Sequence, residues 1–297
     1  MQESLFLAGG SSYNAVITLD DFPKMKPQTI HHCDYNETIG NTGAGKALTL
    51  SRLGYNVVFQ TLLGKDSYAD TIRSYLNHPN LSLHADIDPK GTERHLNIMN
   101  ASGERISIFT NPSSDTPSIV YKAYEEHIRG SKHAIINISN YCRHFLPICK
   151  TLNKSIWTDL HDYDGKNVYH QDFIDAADYI FLSSENLKAY EAFMTKMMDK
   201  GKQLVVCTHG REGATVMDAS GALIEVPIID TYDLVNANGA GDAFFSGFFY
   251  GYSKGYTLLK CMQMATICGG LTIASETIFN PAISAAVIEQ EHIKHYS

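Results

Sequence analysis

Short apolar segments alternate with amphipathic segments of helical length along most of the chain. The apolar runs predict β-strands at Leu5–Ala8, Val57–Leu62, Ala134–Ile138, Ser155–Trp157, Tyr179–Leu182 and Leu204–Cys207. Apolar residues recur with helical spacing between them, which predicts helices at Ser67–Leu76, Ser118–Ile128 and Asn186–Met198. Such alternation is typical of a mostly parallel sheet covered by helices, so we expect an α/β fold.

Two pairs of strand-like segments interrupt this alternation. Val16–Leu19 and Thr29–Tyr35 are separated by a proline-containing turn. Thr92–Met99 and Arg105–Phe109 are joined by the turn sequence Asn100-Ala101-Ser102-Gly103. We therefore expect a single domain over residues 1–297, with a small accessory sheet inserted at about 13–38 and about 91–110.

Composition supports a globular protein with a sizeable core. The 297 residues are 44% hydrophobic and 19% charged, which excludes collagen-like and disordered chains. The 24 basic and 32 acidic residues give a net charge of −8, without a long basic run. A nucleic acid partner is therefore not expected, although a small phosphorylated ligand could still bind at a helix N-terminus.

Features of targeting and redox chemistry indicate a cytoplasmic protein. Met1-Gln2-Glu3 lacks the basic stretch and apolar core of a signal peptide. The uncharged stretch Cys261–Ser275 is too short to span a bilayer. The 6 cysteines form no C-x-x-C pair, which fits free thiols in a reducing compartment. We expect no membrane partner.

The segment Asn236-Ala237-Asn238-Gly239-Ala240-Gly241-Asp242 has the residues for phosphoryl transfer. Gly239-Ala240-Gly241 is small enough for backbone N–H groups to approach an anion, and a helix is predicted to begin near Phe244. Asp242 would be a carboxylate beside that anion, able to accept a hydroxyl proton. A glycine-rich turn with Asp242 as a helix cap is the alternative from spacing alone.

This segment resembles the D-T-x-G-A-G-D signature of the ribokinase-like (PfkB) carbohydrate kinases. Upstream, Gly40-Asn41-Thr42-Gly43-Ala44-Gly45-Lys46-Ala47, Ser51–Gly54 and Gly64-Lys65-Asp66 are similar to the family's G-G-x-x-x-N-x-A, L-G and G-x-D pattern. Thr208–Gly213 resembles its T-x-G-x-x-G nucleotide loop. The resemblance implies a three-layer αβα sandwich with a mostly parallel central sheet and a small β-sheet lid, which can pair into a homodimer.

The resemblance also implies the roles of individual residues. Asp242 would be the catalytic base, and Gly239, Ala240 and Gly241 the anion hole. ATP would be held by Thr208, Gly210, Arg211, Gly213, Asn238, Ser184 and Cys268, the last within the apolar segment Met264–Ala274. The sugar would be held by Asn14, Asn41, Gly40, Gly45, Asp159 and Asp242, with the lid around Arg94–Asn97.

Several positions depart from the family pattern. Asn236 and Ala237 replace the first Asp and Thr of the signature, which weakens the case for a potassium requirement. Asn41 replaces the second Gly of the sugar-site pair, and Gly45 replaces the Asn that usually contacts substrate hydroxyls. The N-x-x-E motif that orders water around Mg²⁺ is not recognisable near Ser184, so Glu185 is the candidate metal residue.

Two local patterns suggest other chemistry and are disfavoured. Gly40–Ala47 fits a P-loop except at its last position, where Ala47 has no hydroxyl to reach magnesium. The cluster His31-His32-Cys33-Asp34 could suggest a metal site, but adjacent strand residues point to opposite faces. Asp159 follows a predicted strand and faces a ligand cleft in this reading, or simply caps a helix.

The sequence therefore predicts ATP-dependent phosphorylation of a hydroxyl on a sugar or sugar-like molecule, with Mg²⁺. A nucleoside kinase of the same family is the nearer alternative. A nucleotide- or sugar-binding regulatory protein with impaired catalysis is the second, motivated by the changes near Glu185 and at Asn236.

Overall fold

The computed structural model describes residues 3–101 and 103–296 and contains two β-sheets. The larger is 9-stranded, in the order β13-β12-β11-β10-β9-β8-β1-β4-β5. Its strands are β1 (Ser4–Ala8), β4 (Asn56–Leu63), β5 (Leu81–Ile87), β8 (His133–Ile136), β9 (Ser155–Asp159), β10 (Tyr179–Ser183), β11 (Leu204–Thr208), β12 (Ala214–Asp218) and β13 (Leu223–Val226).

Neighbouring strands from β5 to β11 run parallel, and β12 and β13 add an antiparallel edge. Both faces of the parallel strands are buried, which explains why they are continuous apolar runs in the sequence. In β1, Leu5 and Leu7 pack into the core on one face, while Phe6 and Ala8 pack into the core on the other. The predicted α/β fold with a mostly parallel sheet is confirmed.

Helices cover both faces of this sheet and make the fold three-layered. One core contains side chains of α1, α7 and α8, and the other contains side chains of α3 to α6. The helices are α1 (Thr42–Arg52), α2 (Ser67–Tyr75), α3 (Glu125–Gly130), α4 (Leu146–Thr151), α5 (Gln171–Ala176), α6 (Tyr190–Asp199), α7 (Ala240–Ser253), α8 (Leu258–Ile273) and α9 (Ala285–Tyr296). Within the described ranges, none of the helices has the length and apolar character needed to cross a bilayer.

The smaller sheet is 4-stranded, in the order β3-β2-β6-β7. Its strands are β2 (Ser12–Leu19), β3 (Asp34–Gly40), β6 (Glu93–Asn100) and β7 (Arg105–Asn111). Three of the predicted accessory segments overlap β2, β6 and β7, but the predicted strand Thr29–Tyr35 shares only Asp34 and Tyr35 with β3. β2 runs parallel to β6, and the two outer pairs are antiparallel. Ser102, part of the predicted turn between β6 and β7, lies outside the described residues, as do Met1 and Gln2.

Candidate active site

A cleft of about 570 Å³ lies between the two sheets. The ends of β9, β10 and β11 line one side of it through Asp159, Ser183 and Thr208. Open α/β sheets bind ligands at the carboxyl ends of their parallel strands, and this cleft occupies that edge. The small sheet lines the opposite side with Asn14, His95, Asn97, Arg105, Ser107 and Phe109.

The first turn of α7 faces this cleft through Gly241 and Asp242. Gly239 precedes the helix in a left-handed conformation with φ of 79°. A Cβ atom at Gly239 would lie 2.0 Å from the carbonyl oxygen of Ile278, so only glycine fits there. The N–H groups of the first turn have no partner within the helix, and with the helix dipole they can bind an anion.

Asp242 shares one buried ammonium group with Asp159. The Nζ atom of Lys46 in α1 donates to Asp242 Oδ1 at 2.5 Å and to Asp159 Oδ2 at 3.0 Å. The Lys46 side chain is completely buried, whereas both carboxylates reach the cleft. The backbone N–H of His161 donates to Asp159 Oδ1, which fixes the second oxygen of that carboxylate.

Burial and charge act in opposite directions on these groups. Burial raises the pKa of Asp242, and the positive charge of Lys46 only partly offsets it. Burial also opposes ionisation of Asp159, but the nearby His161 and Lys46 outweigh it and lower the pKa of Asp159 to about 2. For Lys46, burial disfavours the charged form, yet the two carboxylates raise its pKa above the ordinary value. Lys46 is therefore a cation at neutral pH.

Small residues in α1 make the approach between α1 and α7 possible. Asn41 begins α1 by accepting a hydrogen bond from the Thr42 N–H with its side chain. A Cβ atom at Gly45 would lie 2.9 Å from Asp242 Oδ2. At Gly40 it would lie 1.9 Å from Asn14 Nδ2. Gly40 and Gly45, predicted as substrate-binding residues, are thus not among the residues that line the cleft; they provide space for Asn14 and Asp242.

The small sheet brings together polar side chains for an acceptor. Asn41 Nδ2 and His95 Nε2 both lie 2.7 Å from Glu93 Oε1. The His95 ring packs against Phe109 with 3.9 Å between ring centroids. Asn14 lines the same surface and accepts a hydrogen bond from Ser12.

Some of these acceptor-side residues were not identified individually from the sequence. His95 lies within the predicted lid segment, but Glu93, Arg105 and Phe109 were missed. The sequence pattern does not distinguish these three residues from the other residues of their short strands. Alternation along β7 could have identified Arg105, Ser107 and Phe109 as one face of that strand.

The predicted nucleotide residues are only partly brought together. Thr208 and Asn238 line the cleft, and Gly210 and Arg211 lie in a short 3₁₀ turn, Gly210–Glu212, that follows Thr208. Gly213 has φ of 101°, and a Cβ atom there would lie 2.2 Å from the carbonyl oxygen of Val226. This glycine therefore allows the loop to pack against β13.

Two residues predicted to contact the nucleotide, Ser184 and Cys268, do not line this cleft. The Ser184 hydroxyl bonds His209 Nδ1 at 2.9 Å and lines a separate cavity with Tyr190 and Thr215. Cys268 is fully buried in α8 against Gly247, so its side chain has no surface for a ligand. Both residues were assigned from the family resemblance, which does not show the direction in which each side chain points.

Two residues bear on cation binding: Asn236 on K⁺, and Glu185 on Mg²⁺. Asn236 Nδ2 donates to the carbonyl oxygen of Glu276 at 3.0 Å, and Asn236 Oδ1 accepts from Asn238. Glu185 lines the cleft with a side chain able to contact a metal held by phosphate groups. Among the described residues there is no cluster of three or more His, Cys, Asp or Glu side chains able to hold a metal ion.

Replacement of Gly45 by Ala tests how tightly Asp242 is held. The added methyl group must displace the buried carboxylate from Lys46, so we expect a loss of about 1–3 kcal/mol in the free energy of unfolding. Urea denaturation measures this loss. Gly130→Ala in α3 is the matched control, because a Cβ atom there meets nothing within 4 Å. Equal stability of the two variants would contradict the described contact.

Comparison with known proteins agrees with these observations. Residues 161–283 match the sequence model of the family described as "pfkB family carbohydrate kinase". Acarbose 7(IV)-phosphotransferase from Actinoplanes sp. is 27% identical over 272 residues, covering 89% of this chain and 90% of that protein. The ATP-dependent 6-phosphofructokinase of Thermoanaerobacterium thermosaccharolyticum is 25% identical and covers 78% of each chain.

Solved structures show the same fold. A microbiome-derived acarbose kinase has a TM-score of 0.86 at 24% identity, covering 98% of this chain and 99% of its own. Arabidopsis thaliana ribokinase, complexed with ribose and ATP, has a TM-score of 0.80 at 17% identity over 100% of both chains. The predicted ribokinase-like fold is confirmed. The sequence matches to named kinases agree with this fold and support the resemblance to the PfkB carbohydrate kinases.

Proposed function

We propose that this carbohydrate kinase transfers the γ-phosphoryl group of ATP to a hydroxyl of a sugar or sugar-like molecule. The observation that carries the proposal is the position of Asp242 in the first turn of α7, with its carboxylate in the cleft. One oxygen, Oδ1, is bound to Lys46. Within residues 3–101 and 103–296, no hydrogen bond holds Oδ2, which is therefore available to a substrate hydroxyl.

In the reaction, the acceptor oxygen forms a bond to the γ-phosphorus while its proton passes to Asp242. The bond from that phosphorus to the β,γ-bridging oxygen breaks, and ADP leaves with the electron pair. Backbone N–H groups at Gly239, Ala240 and Gly241 would stabilise the negative charge on the transferring group. Such catalysis depends mainly on positioning and electrostatics, which a helix N-terminus provides without rearrangement.

The nucleotide would lie against Thr208, Asn238 and the turn after β11. Gly210 and Gly213 shape this turn, and the exposed Arg211 would contact a phosphate. Magnesium bound with the nucleotide would supply positive charge that offsets the charge of the phosphates, and Glu185, one of the carboxylates that line the cleft, would contact it or its waters. Because the reaction consumes ATP, we place it in the cytoplasm.

The acceptor would be an unphosphorylated, hydroxyl-rich molecule. Its side of the cleft presents the amides of Asn14, Asn41 and Asn97, which can both donate to and accept from neutral hydroxyls. Arg105 is the one Arg or Lys among the described residues that line the cleft, and its guanidinium already bonds Asn238. With relatives named for acarbose, a pseudo-oligosaccharide is the acceptor class we favour over a sugar phosphate.

The lid would also pair two copies of the chain. Alternation along β7 directs Ser107 and Phe109 toward the cleft and leaves Ile106 and Ile108 on the opposite face, 44% and 43% exposed. β7 is an edge strand of the small sheet, and an exposed apolar edge favours association.

Replacement of Asp242 by Asn tests the catalytic role. We expect kcat to fall by about 10²–10⁴-fold, since an amide cannot accept the hydroxyl proton. ADP release is measured with Mg²⁺ and ATP against acarbose, ribose, fructose, fructose 6-phosphate and inosine. Asp164→Asn, an exposed carboxylate outside the cleft, is the control. Retention of ATP binding by calorimetry shows that the loss is chemical.

This experiment also separates the alternatives. Activity on inosine alone would support a nucleoside kinase. ATP binding without turnover of any acceptor by the unaltered protein would support a regulatory protein. Full activity of Asp242→Asn would contradict the proposed base.

Potassium independence follows from Asn236. Its amide group bonds the Glu276 carbonyl, an oxygen of the kind that coordinates K⁺. We expect the rates in KCl and NaCl to agree within about twofold, because the amide already satisfies that carbonyl. Asn236→Asp should create a requirement for K⁺, since it removes the donor and adds a negative charge. Strong stimulation of the unaltered protein by K⁺ would contradict this account.

The dimer is tested by light scattering after size-exclusion chromatography. We expect the mass of two chains for the unaltered protein and of one chain for Ile106→Glu, because a charge at the apolar edge opposes pairing. Val168→Glu, at a residue 85% exposed elsewhere, should leave the dimer intact. A monomeric unaltered protein would contradict the proposed pairing.

A further inference from the structure

We propose that Lys46 is a positioning residue for the phosphoryl transfer: its ammonium group holds one oxygen of Asp242 and leaves the other facing the acceptor hydroxyl. This inference rests on the proposed function, in which Asp242 is the base. It concerns a residue that the sequence comparison with the family left without a role, because Lys46 stands at a variable position of G-G-x-x-x-N-x-A.

The geometry excludes direct contact between Lys46 and the substrates. Its side chain is completely buried, and it is not among the residues that line the cleft. Two of its three donors are directed at Asp242 Oδ1 and Asp159 Oδ2. The Nζ atom also lies 5.1 Å from the centre of the Phe245 ring, where a cation is favoured. Lys46 therefore acts on the reaction through Asp242.

The charges around Asp242 make its contact with Lys46 decisive for the protonation state of the Asp242 carboxylate. The charged or titratable groups that face its carboxylate are Lys46 from α1, Asp159 at the end of β9, and His161 in the loop that follows. Two buried carboxylates share one ammonium group. Without Lys46, both would be desolvated and would repel each other, so one would take up a proton near neutral pH. A protonated Asp242 cannot accept the hydroxyl proton.

Asp159 acts in the opposite direction. Its negative charge raises the pKa of Asp242, whereas Lys46 lowers it. Replacing Asp159 by Asn keeps an oxygen that can accept from Lys46 and removes the repulsion. Replacing Lys46 by an uncharged residue and replacing Asp159 by Asn must therefore shift the pKa of Asp242 in opposite directions.

The test is the pH dependence of kcat/KM for the full-length protein and for Lys46→Met, Lys46→Gln and Asp159→Asn. Because the base acts when deprotonated, activity falls below the pKa of Asp242. For Lys46→Met we expect the acid limb to move to higher pH by at least about one unit, with a rate at neutral pH reduced about tenfold or more and recovered as the pH rises. Lys46→Gln should show a smaller shift in the same direction, and Asp159→Asn a shift to lower pH.

A readout independent of turnover accompanies the kinetics. Protein labelled with ¹³C at aspartate carboxyl carbons gives the titration of Asp242 by NMR, and comparison with Asp242→Asn assigns its signal. If Lys46→Met does not fold, Lys46→Gln and Asp159→Asn still test the shifts in both directions. A lower kcat with an unshifted acid limb and an unshifted ¹³C titration would overturn the proposal and leave Lys46 a purely structural role.

The same measurements distinguish a failure of the proposed kinase function from a failure of the positioning role of Lys46. If the unaltered protein phosphorylates no acceptor while the ¹³C titrations shift as expected, the proposed function fails and the effect of Lys46 on the Asp242 carboxylate stands. If the protein is an active kinase and the titrations of the Lys46 variants do not move, the positioning role fails alone.

Discussion

One buried ammonium group joins three distant parts of this chain at the cleft. Lys46 contacts Asp159, 113 residues away along the chain, and Asp242, 196 residues away. Removing one partner of a buried ion pair typically costs about 3–5 kcal/mol, because the remaining charge is left uncompensated. The contact thus sets the position of α1 and α7 relative to the end of β9, and with it the position of the carboxylate at the anion-binding helix terminus.

Close approach of backbone segments makes this contact possible. Gly45 leaves room for the Asp242 carboxylate, and Gly43 packs so close to Gly10 that a Cβ atom would lie 2.5 Å from its carbonyl oxygen. Gly239 allows the chain to turn beneath Ile278 and begin α7 at the cleft. These glycines act as spacers, and the chemistry belongs to the polar groups they admit. The small sheet then covers the cleft with polar side chains and with the packed rings of His95 and Phe109.

Much of the fold could be predicted from the sequence, because parallel strands buried on both faces give continuous apolar runs. The strand at Ser155–Trp157 and the one at Leu204–Cys207 both lie within observed strands. The segment around Asp242 could also be recognised, because glycines and an acid before an apolar helix are a local pattern. β5, β12 and β13 were missed: exposed positions interrupt the apolar pattern in β5 and β13, and β12 is short and contains the polar residues Thr215 and Asp218.

The rest of the site depends on contacts that no local pattern contains. Lys46 was given no role from the sequence, in which it stands at a variable position of the family pattern and in an incomplete P-loop. A lysine among the apolar residues of α1 is nevertheless itself a sign of a buried ion pair. Glu93 gains its place through Asn41 and His95, a contact that exists only once β6 has paired with β2. Ser184 and Cys268 were assigned without knowledge of the surface each would face.

The most direct test of this account is a crystal structure with a non-hydrolysable ATP analogue, Mg²⁺ and an acceptor identified from the activity panel. The account predicts the terminal phosphate at the N–H groups of Gly239–Asp242, and an acceptor hydroxyl within hydrogen-bond distance of Asp242 Oδ2. Lys46 should keep its contact with Oδ1. A nucleotide bound in the separate cavity beside Ser184 and His209, or an acceptor remote from Asp242, would contradict it.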